Sequence, residues 1–233
     1  MKLKTLLVIG VGPATGSTLC RLLSGKYRLI MVARSAERIN QLASELEDAH
    51  AFPCDVADQA AYAKTLEQIK GQFGVPERIL VNTESAPWGA YNQLSLDDFA
   101  ASFEVNAVAF LQLIQVLFPD KAQIKPDTRV LVSSSPGAYT PPPTFLGLAP
   151  SRVAQRVMAE LLQENLESFG LKFSVFSIDG AIDEPKMRAA YSDKPIEFFI
   201  QQEDICKEME RLFEAPSFPL VSGISGLSSF AKR

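Results

Sequence analysis

Short apolar runs and longer segments of helical period alternate along the whole chain. The runs fall at residues 6–9, 29–32, 49–52, 79–81, 130–132 and 173–178, with a weaker one at 218–221. They are apolar on both faces and rich in β-branched side chains, the pattern of strands covered by helices above and below. The spacing between them predicts five helices. The first covers 15–23 and is closed by Ser24-Gly25, the second follows Ser35, and the third follows Asp58. The fourth opens on Ser95-Leu96-Asp97-Asp98, a capping pattern, and the fifth spans roughly 151–169 with Gly170 as its left-handed stop. Such alternation predicts an α/β fold, a doubly wound parallel sheet of about seven strands with right-handed crossovers. No linker-like bias interrupts residues 1–233, so a single domain is expected.

Two segments depart from the simple pattern. The fourth helix is apolar almost all the way round, at Phe99, Phe103, Val105, Val108, Phe110, Leu111, Leu113, Ile114, Val116 and Leu117. A helix packed on one sheet needs a stripe only about 100° wide. The excess predicts a second buried face, either against another subunit or beneath the loop at 136–150. That loop holds five prolines and two glycines and joins the fifth strand to the fifth helix.

Charge and cysteine usage narrow the class. The 23 basic and 27 acidic residues give a net charge of −4, with the basic residues scattered, which argues against nucleic acid or an anionic membrane as partner. Cys20, Cys54 and Cys206 form no CxxC pair and are odd in number, so buried thiols in a reducing cytoplasm are expected rather than a disulfide framework. A single histidine, His50, leaves no metal site in view. The apolar run near the start stops at Gly10, too short for a signal peptide, and no stretch reads as a membrane span. A soluble cytoplasmic protein is the expectation.

The first run leads into Gly10-Val11-Gly12-Pro13-Ala14-Thr15-Gly16 and then a helix. Glycine suits a tight turn, a close backbone approach to a pyrophosphate, and close packing of helix on strand; the helix N-terminus then offers free N–H groups to the anion. A glycine-rich turn without ligand is the plain alternative. The end of the second run then selects between dinucleotides. An NAD site places a carboxylate there for the adenosine ribose, whereas this chain has Val32-Ala33-Arg34-Ser35 with no acid before Glu37. Arg34 can fork onto a 2′-phosphate and Ser35 can add a hydroxyl, which favours NADP(H) over NAD(H). The plain alternative is a solvated Arg34 and a Ser35 that only caps the second helix.

Seven segments in register now resemble the short-chain dehydrogenase/reductase family. They are the GVGPATG loop, Ala33-Arg34, Cys54-Asp55-Val56, Leu80-Val81-Asn82, Val105-Asn106, Ser133-Ser134-Ser135 and Ile178-Asp179-Gly180-Ala181-Ile182, spread from residue 4 to about 185. The resemblance implies a Rossmann-type fold and a nicotinamide dinucleotide cofactor. By it, Gly10, Gly12 and Gly16, with Pro13, Ala14 and Thr15 between them, line the pyrophosphate. Asp55 and Val56 hold the adenine edge, Asn82 and Thr83 line the cofactor near the ribose, and Gly180, Ala181 and Ile182 face the nicotinamide. It also implies a homodimer or homotetramer through the fourth and fifth helices. Where the family reads Asn-Asn-Ala-Gly, this chain reads Asn82-Thr83-Glu84-Ser85, which sets a carboxylate beside the cofactor path.

The family's chemistry uses a tyrosine acid with a lysine four residues later on one helical face. None of Tyr27, Tyr62, Tyr91, Tyr139 and Tyr191 has that lysine; alignment on Ala149-Pro150-Ser151-Arg152 places Leu148 at the tyrosine position and Arg152 at the lysine position. Asn106 and Ser135 remain of the family's set, Ser135 lying 13 residues before Leu148, with Ser134 its open alternative. Arg152 is a candidate for the ribose hydroxyls, although a guanidinium cannot relay protons. Tyr139 or water is the candidate surrogate acid. Two functions therefore compete: an NADP(H)-dependent oxidoreductase acting on an unidentified carbonyl or alcohol with an altered centre, and a non-redox or catalytically inert dinucleotide-binding protein. The segment 183–203, with Met187, Tyr191, Pro195 and Phe198-Phe199, is expected to form a lid. Together with the loop at 139–150 it suits a lipophilic or acyl small molecule, and equally ordinary packing.

Overall fold

The computed structural model describes residues 3–227. Seven parallel strands form one sheet in the order β3-β2-β1-β4-β5-β6-β7. The strands are β1 (Lys4–Ile9), β2 (Tyr27–Ala33), β3 (Ala49–Pro53), β4 (Arg78–Val81), β5 (Thr128–Ser134), β6 (Leu171–Asp179) and β7 (Val221–Ser225). The helices between them are α1 (Thr15–Leu23), α2 (Ala36–Glu45), α3 (Gln59–Phe73), α4 (Leu96–Phe103), α5 (Ala109–Leu117), α6 (Ala149–Leu166), α7 (Pro185–Ala190) and α8 (Gln202–Glu214). A π-helical turn, Glu104–Val108, makes α4 and α5 one continuous rod.

The period of two along β1 sorts side chains into two cores. Leu7 and Ile9 join Tyr62, Leu66, Phe110, Leu113 and Phe173 on the face covered by α3, α5 and α6. Leu6 and Val8 join Leu19, Leu23, Ile205, Met209 and Phe213 on the face covered by α1 and α8. Burial on both faces is why the strands read as continuous apolar runs. The strand order doubles back between β1 and β4, which opens a crevice beyond their carboxyl ends, the place where such sheets bind ligands.

Four features differ from the sequence reading. β7 is Val221–Ser225 rather than 218–221, because Phe218 packs into the core ahead of the strand. α6 begins at Ala149, with Pro150 in its first turn where a missing N–H costs nothing, and a 3₁₀ turn (Glu167–Phe169) carries it to Gly170 at φ +99°. α8 was not among the predicted helices, and its first turn overlaps the expected lid. The continuous helix Leu96–Leu117 is long and apolar enough to span a membrane by length and composition alone. It lies within this fold, with Phe110, Leu113 and Leu117 in the core.

At the amino ends of the strands, two buried arginines stand side by side, in register on β4 and β5. Arg78 donates to the carbonyls of Phe213 (2.9 Å) and Asp127 (2.6 Å). Arg129 donates to those of Leu212 (2.9 Å) and Ala215 (2.7 Å). The Asp127 carboxylate bridges both guanidinium groups, at 3.0 and 2.8 Å. Carbonyls that the end of α8 leaves without helical partners are thereby satisfied, and the helix is fixed to the sheet. Although partial burial opposes it, the Asp127 carboxyl is held below its ordinary pKa by Arg129 and Arg78. A carboxylate with a lowered folded-state pKa stabilises the fold at neutral pH and loses that contribution as pH falls through its folded value. Asp127→Asn should therefore cost about 1–2 kcal/mol in urea denaturation at pH 7, and the gap from wild type should narrow steadily below pH 4. A gap that stays constant with pH would assign the loss to shape rather than charge.

Candidate functional site

The loop that leaves β1 is shaped by its glycines. Gly10 has φ +93°, and a Cβ there would lie 2.6 Å from the Asn82 carbonyl oxygen. A Cβ on Gly16 would meet the Gly10 carbonyl at 2.8 Å, which is what brings α1 tightly under the loop. A Cβ on Gly12 would meet nothing within 4 Å, so the backbone there faces open space. The Ser17 hydroxyl donates to the Gly12 carbonyl (2.6 Å), and the Asn82 side-chain amide donates to that of Gly10 (3.1 Å). Ala14 stands at the N-cap of α1 without a side-chain cap, Thr15 is buried and Pro13 is exposed. The result is an uncapped helix N-terminus aimed past an open backbone, a ready anion site.

At the end of β2, Arg34 is exposed and makes no ion pair with another described residue. Ser35 is the N-cap of α2, its hydroxyl accepting from the Arg38 N–H. Arg38, one turn further along and also exposed, was not singled out from sequence. The signal for it was its spacing of four residues from Arg34. After β3, the Asp55 carboxylate accepts from the Ala57 N–H (3.0 Å), so it holds its own turn, while Val56 belongs to the core. After β6, Gly180 lies at φ +149° and Ala181 is buried. Ile182 pairs with Ile200, which closes the base of the segment expected to be a lid.

That segment is tied down. The Asp183 carboxylate accepts two bonds from Arg188 (2.5 and 2.8 Å), which lowers its pKa, and the Arg188 guanidinium lies over the Phe199 ring. Gln202 links the Asp183 carbonyl (2.6 Å) to the Thr18 hydroxyl (2.9 Å) on α1. Asp183, Arg188 and Gln202, with Glu184, Pro185, Gln201 and Glu203, line a cleft of about 430 Å³.

Asn106, Ser135, Leu148 and Arg152, the residues that the resemblance matched to the family's catalytic set, lie around the place where β4, β5, the π turn and α6 meet. Asn106 is fully buried in the π turn, a local widening often found at functional sites. Its carboxamide accepts from the Ser85 N–H (3.0 Å) and donates to the Ser85 carbonyl (2.9 Å) and the Ser151 hydroxyl (2.9 Å). Asn106 thus stitches the loop after β4 to α6. Arg152 is 3% exposed. One terminal nitrogen donates to the Ser133 carbonyl (3.2 Å) and Gln155 Oε1 (2.8 Å), the other to the Thr83 carbonyl (3.0 Å) and Glu84 Oε2 (3.1 Å). The ribose role considered for Arg152 meets a guanidinium whose terminal nitrogens are already bonded to protein. Leu148, also 3% exposed, is the N-cap of α6. Ser135 Oγ is buried without a partner, while Ser134 is buried at the strand end. Tyr139 lies with its ring over Arg156, two turns along α6 from Leu148, and partial burial raises its phenol's pKa.

The loops on either side of these residues pack on each other. Trp88 and Phe145 meet edge to face at 4.9 Å, and Phe145 covers the α-carbon of Gly137. Gly147 sits against Pro87 and Leu94 with no room for a side chain. The loop at 139–150 therefore pairs with the segment after β4. Trp88, missed in the sequence reading, is the chain's single tryptophan and is 55% exposed.

This chain belongs to the short chain dehydrogenase family, whose sequence model matches residues 4–194. The fold agrees with solved structures that share little sequence. A short chain dehydrogenase from Burkholderia cenocepacia J2315 in complex with NADP is 20% identical at a TM-score of 0.84, with 97% of each chain covered. A short chain oxidoreductase from Pseudomonas aeruginosa PAO1, described as containing an atypical catalytic center, is 13% identical at 0.84, with 99% of each chain covered. Among curated proteins, an uncharacterized oxidoreductase of Mycobacterium tuberculosis is 24% identical over 185 residues, 75% of this chain and 54% of the relative. A C alpha-dehydrogenase of Sphingobium sp. is 26% identical over 160 residues, 64% of this chain and 50% of the relative. The chain thus spans about half the length of these curated relatives.

A nicotinamide dinucleotide, the cofactor implied by the family, fits the residues present. Gly12 leaves space for a pyrophosphate, α1 supplies uncapped N–H groups, and Ser135 Oγ, just past β5, is an orphaned polar atom. The glycines separate binding from folding. Gly12→Val should melt within about 2 °C of wild type yet bind NADPH at least ten-fold more weakly by calorimetry. Gly10→Ala should cost about 2 kcal/mol or more, because it adds a backbone clash to a left-handed φ. Equal losses of stability in the two variants would contradict this division.

Proposed function

We propose that this chain is an NADP(H)-binding oxidoreductase of the short-chain type, acting on a small carbonyl or alcohol with an altered proton-transfer centre. The observation that carries the reading is the open backbone at Gly12 beside the uncapped start of α1. Arg34, exposed and unpaired at the end of β2, supports the phosphorylated dinucleotide, as a guanidinium matches a 2′-phosphate in charge and shape. Arg38 is placed to add a second cation. Asn82 and Thr83 flank the ribose path, and Gly180, Ala181 and Ile182 form the backbone opposite. When bound, the nicotinamide supplies or accepts the hydride.

The chain's own residues then have limited work. Ser135 donates its free hydroxyl to the substrate oxygen. Asn106, its carboxamide spent on Ser85 and Ser151, holds the wall of the site rather than a proton. Leu148 offers no proton, so the acid is water or Tyr139, and loss of a positioned acid costs about 10²–10⁴ in rate. The edge-to-face Trp88–Phe145 pair favours a lipophilic substrate. Buried, unpaired cysteines suit a reducing cytoplasm. Leu111 on α5 with Val157 and Leu161 on α6 are exposed apolar positions, the support for a homodimer or homotetramer through these helices. Light scattering at micromolar concentration should return two or four times 25.5 kDa; a monomer mass would remove the assembly.

A second reading, an inert or non-redox dinucleotide-binding protein, is favoured by Leu148 and by the internal commitment of Arg152. Transfer of deuteride from labelled NADPH to a panel of carbonyls separates the two. For the cofactor itself, wild type should bind NADPH more tightly than NADH in calorimetric titration, and Arg34→Asp should reverse that order. Equal affinities in the wild type would remove the argument from Arg34.

A further inference from the structure

We propose that Glu84, not Arg152, is the side chain this protein presents to the nicotinamide end of its cofactor, where its carboxylate favours the oxidised, positively charged ring. The inference rests on the dinucleotide reading above and adds a residue to it. Ile9 and Val81 end β1 and β4 in register, and the crevice opens beyond them. Asn82, the next residue, is bonded to the glycine loop, so residues 82–84 border the same crevice as the anion site.

Hydrogen-bond accounting at Arg152 carries the assignment. A guanidinium has five N–H donors, four of them on its terminal nitrogens. Those two nitrogens make four bonds, to Ser133, Gln155, Thr83 and Glu84, and Nε is left buried without a partner. Arg152 therefore has no terminal donor left for ribose hydroxyls. Its charge is met by Glu84, whose side chain is 54% exposed although its partner is almost wholly buried. The ion pair thus turns its carboxylate end outward.

A carboxylate accepts hydrogen bonds and does not donate them, so it suits ribose hydroxyls as donors, as acids at the end of a second strand suit the adenosine ribose. Its charge also distinguishes the two redox forms. The oxidised nicotinamide ring carries a positive charge that the reduced ring lacks, and a carboxylate in a partly solvated crevice attracts only the former. At an effective dielectric between protein surface and water, one such pair is worth about five-fold in affinity.

Calorimetric titration of NADP⁺ and NADPH into wild type and Glu84→Gln tests this. The carboxamide oxygen keeps the bond to Arg152 while the charge is removed. NADP⁺ affinity should fall about five-fold relative to NADPH, the ratio being read at a temperature where both proteins are folded. The double variant Glu84→Ala/Arg152→Met, which leaves no buried charge unpaired, should lose the same preference, and it covers the case in which Glu84→Gln fails to fold. An unchanged affinity ratio, or equal loss for both forms, would overturn the role of Glu84 and leave the cofactor reading standing. Failure of the wild type to bind either form would overturn both.

Discussion

The buried guanidinium of Arg152 is the constraint around which the site is built. Taking a cation out of water is costly unless it is paired and hydrogen-bonded, and removing its partners would leave that cost unmet. The partners come from the ends of two strands: the Ser133 carbonyl on β5, the Thr83 carbonyl just past β4, and the Glu84 carboxylate beside it. The start of α6 is thus fixed to the carboxyl edge of the sheet. Ser151, adjacent in sequence, lies within reach of Asn106, and Asn106 in turn holds Ser85. The loop after β4 is clamped from two sides, which sets the platform on which Trp88 meets Phe145.

The site then divides into two halves with separate causes. The anion half depends on backbone: a left-handed Gly10, an unobstructed Gly12 and a close-packed Gly16, none of which involves Arg152. The other half depends on side chains, and at the positions that the resemblance matches to the family's proton-handling pair stand a buried Leu148 and an Arg152 directed into the protein. Ser135 remains as an unpartnered hydroxyl. On the function proposed above, a site of this composition holds a dinucleotide while its control over the substrate's proton is reduced.

Legibility in the sequence followed how local each cause was. The shape of the glycine loop after β1 was readable because its glycines answer to steric demands set within a few residues. Gly170 as the stop after α6 and Ser95 as the cap of α4 were readable for the same reason. α8 was missed, although Ile205, Met209 and Leu212 keep helical spacing, because charged residues on its outer face dilute the apolar signal. The Arg78–Asp127–Arg129 clamp was illegible: besides Asp127, its acceptors are the carbonyls of Leu212, Phe213 and Ala215 at the end of α8, 83 or more residues away, exposed only once the helix ends against the sheet. The same holds at the centre. Matching of positions singled out Arg152 as a candidate for the ribose hydroxyls, but its direction was set by carbonyls 19 and 69 residues distant.

The most direct measurement is a crystal structure of the protein with NADP⁺ bound. The expected arrangement has pyrophosphate across Gly12 and the start of α1, ribose hydroxyls of the nicotinamide half on the Glu84 carboxylate, and Arg152 still bonded to Ser133 and Thr83. An Arg152 guanidinium swung out onto the ribose, with Glu84 turned away to solvent, would contradict it.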